Sequence, residues 1–121
     1  MKSIALALLL FLLAFAGIAA DEPATAGKTP DRTMTGEIVD MHCYISRGAH
    51  GEEHAGCSNA CLSRDVPAGF LADDGTLYLL VNEKPVSVKE KVAGKAGKKV
   101  TVRGKVIEKN GVKALQLASV D

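Results

Sequence analysis

Three cysteines and two histidines fall within nineteen residues, in the segment Cys43-Tyr-Ile-Ser-Arg-Gly-Ala-His50-Gly-Glu-Glu-His54-Ala-Gly-Cys57-Ser-Asn-Ala-Cys61. Thiolates and imidazoles together are the donor types that thiophilic metals select. Tetrahedral zinc takes them at about 2.3 Å to sulfur and about 2.0 Å to nitrogen. Cys43, His54, Cys57 and Cys61 form a Cys₃His set, with His50 as an extra ligand or a substitute for His54 and His42 left spare. Cuprous copper is the second choice, because thiolate, imidazole and the nearby Met41 are all soft ligands. The expected role of the ion is structural, storage or trafficking. Asp40, three residues before Cys43, would either hydrogen-bond a ligating histidine from outside the coordination sphere or stand as an ordinary solvent-facing strand residue.

Two other chemistries fit the same residues. A disulfide from Cys43 to Cys57 or to Cys61 would close a loop of about fifteen residues and contribute roughly 3 kcal/mol. That arrangement makes a stapled, non-catalytic binding module with one thiol left over. Alternatively, Cys57 and Cys61 near a helix start, with His54 just upstream, would form a thiol-disulfide redox pair. The adjacent Glu52 and Glu53 lie in a polar stretch and read as solvated. The chain has no Gly-x-Ser-x-Gly, no phosphate-binding glycine loop and no Cys-x-x-Cys-His. Hydrolase, kinase and c-type cytochrome chemistry are therefore excluded as far as motifs exclude them, and a binding module is expected rather than an enzyme.

The elements that must position the cluster can be read from periodicity and turn chemistry. A helix over His50–Ser63 would place positions 50, 54, 57 and 61 on one face at i, i+4, i+7 and i+11, although Gly51 and Gly56 each weaken it by about 1 kcal/mol. Thr35–Tyr44 is expected to be a strand carrying Cys43 at its end. Asp73-Asp74-Gly75 turns the chain back into a strand over Thr76–Val81. Val86–Ala93 is expected to be a short helix closed by Gly94. Lys99–Lys109 alternates at period two with a bulge at Gly104, and Asn110-Gly111 returns it into Val112–Val120. About five short strands with one short helix carrying the cluster give a mainly β fold, a small barrel of the oligonucleotide/oligosaccharide-binding type. A small open α+β sheet is the alternative.

The chain resembles a group of small, largely uncharacterised exported bacterial proteins. The resemblance is carried by Gly36-Glu-Ile38-Val-Asp40-Met-His-Cys43, by His54-Ala-Gly-Cys57-Ser-Asn-Ala-Cys61 and by Gly97-Lys98-Lys99-Val100-Thr-Val102-Arg-Gly104. It covers nearly the whole domain and implies a barrel-like fold and an exported location, with no activity attached.

Export is also expected from the N-terminus itself. Lys2, the apolar run Ile4–Ala16 and the small residues of Gly17–Ala20 read as a signal peptide over 1–20. A Pro- and Gly-interrupted tether follows over 21–33, then a barrel domain over 34–121. The expected location is periplasmic or secreted. An uncleaved anchor is the rival for the apolar run, and no stable membrane span remains after cleavage. Charge is uneven: Asp21–Asn82 carries ten acids and four bases, Glu83–Asp121 four acids and ten bases. The basic half could attract a protein or an anionic polymer, but lysines at this density are also the usual outer face of a β domain. Nucleic acid is not expected, because Tyr44, Phe70 and Tyr78 are the aromatics beyond the signal and none lies among the lysines.

Overall fold

The computed structural model describes residues 29–121, so the expected signal peptide and most of the tether lie outside the described residues. Strand β1 (Arg32–Asp40) begins two residues inside the segment expected to be tether. Helix α1 (Met41–Arg47), a 3₁₀ turn (Glu52–His54) and helix α2 (Ala55–Ser63) follow. Next come β2 (Ala68–Ala72), β3 (Leu77–Val81), α3 (Lys89–Val92), β4 (Lys99–Lys109) and β5 (Val112–Val120). The strands close into a barrel in the order β1-β2-β3-β5-β4, with β3 and β5 parallel and every other pair antiparallel. This is the small barrel expected, and the open sheet is not formed. Among the described residues no helix is long and apolar enough to cross a membrane.

Alternation in the strands builds the core. Ile38, Phe70, Leu80, Val102 and Leu115 point inward, and Val92 of α3 plugs one end. Ladder register shifts between Arg103 and Gly104, placing a bulge where β4 bends. Asn110 and Gly111 both have positive φ, as a two-residue hairpin turn requires. β1 is the strand on which closure depends, because Gly36 pairs with Ala72 on one side and with Val100 on the other. A Cβ at Gly36 would collide with the Leu71 carbonyl oxygen, the Ala72 Cα and the Phe70 ring.

Five of the ten basic side chains of Glu83–Asp121 are engaged within the chain. Lys89 pairs with Asp65, Lys99 with Asp73 and Arg103 with Asp31, while Lys91 and Lys95 donate to the carbonyls of Leu117 and Val120. The helix expected over Val86–Ala93 is a single turn, Lys89–Val92.

Replacing Gly36 with alanine should cost about 1–3 kcal/mol by overpacking. Gly56→Ala, in α2 with nothing within 4 Å of its added carbon, should gain up to about 1 kcal/mol. Urea unfolding of the two variants measures both effects, and opposite shifts of the midpoint are expected.

A pH effect follows from the β2–β3 turn. The backbone N–H of Thr76 donates to Asp74 Oδ1 at 2.8 Å and holds that carboxyl below its usual range. The Thr35 hydroxyl at 2.6 Å, then Lys99 at 2.9 Å, do the same for Asp73. A depressed folded-state value means that the stabilisation is complete above about pH 3.9, the usual Asp value. It is lost as pH falls through the lower folded value. The Thr76 amide shift followed by NMR should therefore titrate with a midpoint below about 3.9.

Candidate metal centre

The cluster is built on the long β1–β2 connection. β1 ends because Asp40 caps a helix: its ψ is 131°, and its Oδ1 accepts from the backbone N–H of Cys43 at 2.8 Å. The following turn carries Cys43 inward, and Gly48, left-handed at φ 67°, stops the helix by donating to the Tyr44 carbonyl at 2.7 Å. After Gly51 and the 3₁₀ turn, His54 stands at the N-cap of α2. α2 is fixed to the barrel by Asn59, whose Oδ1 accepts from the Ala96 N–H at 3.3 Å. Ser58 ties it to β1: the Ser58 hydroxyl donates to Asp40 Oδ2 at 2.7 Å and accepts from the Asp40 N–H at 3.0 Å.

These elements bring together two overlapping donor sets. Ligand atoms of Cys43, His54 and Cys57 lie within 4.8 Å of one another, and so do those of Asp40, Cys43 and Cys61. Donors around a tetrahedral zinc are about 3.5–3.8 Å apart for bonds of the usual lengths, so the sets need to contract by roughly 1.3 Å at most. His54 Nε2 is buried and has no hydrogen-bond partner. It faces Asp40 Oδ2 at 3.6 Å, too long for a hydrogen bond. A buried polar atom left unpaired costs free energy unless something occupies its lone pair. The Cys43 and Cys57 sulfurs lie within 4.8 Å of a His54 ring nitrogen and of each other, a group that could hold a metal ion.

Electrostatics around Cys43 are tightly set. Burial pushes its thiol up, the hydrogen bond from Arg47 (Nη2 to Sγ, 2.9 Å) opposes the rise, and the Asp40 carboxylate adds to it, leaving a net rise. The same bond to Cys43 raises Arg47. For Asp40, burial acts upward, but the Cys43 N–H and the Ser58 hydroxyl outweigh it and hold the carboxyl below its usual range.

Placement differs from expectation at several positions. Asp40 is fully buried rather than solvent-facing. Cys43 lies in α1 rather than at a strand end, because the Asp40 cap turns the chain three residues earlier. The expected helix over His50–Ser63 starts only at Ala55, since Gly51 at φ 84° interrupts it. His50 therefore leaves the cluster face: its Nδ1 is 3.4 Å from Glu37 Oε2 and its ring meets Tyr44 edge-on at 5.9 Å. Met41 packs its sulfur over Gly69 of β2. Cys61 sits with Asp40 and Cys43 rather than with His54. All three cysteines are free in the structure. Arg47 and Ser58 were not anticipated. Arg47 could have been found from its i+4 spacing to Cys43, whereas nothing in the sequence marks Ser58.

Comparison of the chain with protein-family models, with curated proteins and with solved structures finds no match.

Asp40→Ala removes a helix cap and strands the Ser58 hydroxyl. It should lower stability by about 1–2 kcal/mol, the usual cost of a lost cap. Asp40→Asn keeps an acceptor oxygen and should recover most of that loss. Thermal unfolding of the two variants side by side checks the difference.

Proposed function

We propose that this domain is an exported metal-binding module in which Cys43, His54 and Cys57 hold a thiophilic ion, zinc first and copper next, with Cys61 at the edge of the group. The observation that carries the reading is the grouping of a His54 ring nitrogen with the Cys43 and Cys57 sulfurs, on a histidine whose Nε2 is buried without a hydrogen-bond partner. Charge supports zinc over cuprous copper. Asp40 and Arg47 offset each other, so two thiolates and a neutral imidazole match a divalent ion with no net charge left over. Cys61, which shares Cys43 with Asp40, stands at the edge of the same group rather than among the three donors. Asp40 acts from outside the coordination sphere: it holds Cys43 through the helix cap and α2 through Ser58. Export rests on the N-terminal apolar run and the small residues that follow it.

Protein expressed with its leader, analysed by native and denaturing mass together with thiol counting and elemental analysis, tests the reading. Three free thiols and one equivalent of zinc are expected, with a chelator-sensitive melting temperature. His54→Ala should weaken zinc binding by more than the roughly 10–100-fold typical of outer-shell partners. One free thiol, a mass deficit of two hydrogens and no metal would overturn the reading in favour of a disulfide-stapled module.

A further inference from the structure

The two donor sets differ from a closed structural site in one respect that bears on what the ion does there. A structural zinc site surrounds its ion with four protein ligands, whereas an open site keeps a position for an incoming ligand. Here the set containing His54 has three members, and Cys61 falls outside it. The three also form a gradient of exposure: Cys43 is buried, His54 is half-buried and Cys57 is exposed. Cys57 has small neighbours on the helix surface. Gly56 precedes it with open space where a side chain would stand, and the exposed Ala60 lies one turn on. Cys57 itself is exposed on the helix surface.

We infer that the site is an exchange site, from which the ion passes directly to an acceptor thiolate entering beside Cys57, and that the domain carries its ion as cargo. The inference rests on the metal reading above. An incoming thiolate bonds to the ion at its open position. The Cys57–metal bond then breaks, its electron pair staying on the Cys57 sulfur, and Cys43 and His54 release last. Each ligand exchange moves a metal bond from one donor to another, with no change of oxidation state and no net redox partner required. Cys61 is placed to share the ion through Cys43, which both sets contain.

The test loads the full-length mature chain with one equivalent of Zn²⁺ and mixes it with a dithiol peptide in excess, following transfer by stopped flow. Associative exchange through an open coordination position predicts that a tenfold rise in peptide raises the observed rate about tenfold. Ala60→Leu, which touches no ligand, should slow transfer by about tenfold by covering the approach while leaving the equilibrium zinc affinity within about threefold. A rate independent of peptide concentration, or one unchanged in Ala60→Leu, would overturn the exchange route while leaving the metal reading intact. Failure to take up zinc at all would remove both.

Discussion

The carboxylate of Asp40 is the constraint on which the site depends. It has no exposed surface, and each of its oxygens has a different duty: Oδ1 caps α1 at Cys43, and Oδ2 receives the Ser58 hydroxyl of α2 and faces His54. One buried charge thereby sets the direction of two helices and the position of three candidate ligands. Burying a carboxylate is costly unless its hydrogen bonds are made. The structure makes them with a helix N–H and a hydroxyl, and Arg47 supplies opposite charge across Cys43. The barrel contributes by holding both ends of the insertion, β1 and β2, in adjacent positions.

Much of the barrel was legible in the sequence because its strands follow local rules. β4 and β5 have the bounds that alternation and the Asn110-Gly111 turn imply, and the bulge falls at Gly104. The β2–β3 hairpin turns where Asp73-Asp74-Gly75 implies. The insertion was harder. Met41–Arg47 mixes apolar, aromatic and β-branched residues without a clear period, so the cap at Asp40 and the stop at Gly48 were the informative signals, and they compete with a strand reading of the residues before them. The site residues Cys43, His54 and Cys57 were visible as types and spacing. Their grouping was not, because it depends on a bend at Gly51 that takes His50 to Glu37 and on a shared partner, Ser58, that sequence cannot assign.

A buried histidine nitrogen without a hydrogen-bond partner stands in a group with two sulfurs, of which that of Cys43 accepts from Arg47 and that of Cys57 belongs to an exposed residue. Packing alone leaves the Nε2 lone pair unused. The same feature that makes this arrangement costly is what would make it receptive to a ligand. Its openness also sets it apart from the barrel core, where every large side chain is sealed from water.

Closure of the barrel joins Arg32 in β1 to Gly104 in β4, and β5, the last strand of the chain, to β3. Contacts between residues so far apart in sequence are slow to form. The β1–β2 ladder joins residues 28–36 apart in sequence, whereas the β1–β4 seam that closes the barrel joins residues 62–72 apart. The three cysteines lie inside the shorter of these two spans, so their proximity depends on the β1–β2 pairing and not on the seam that closes the barrel.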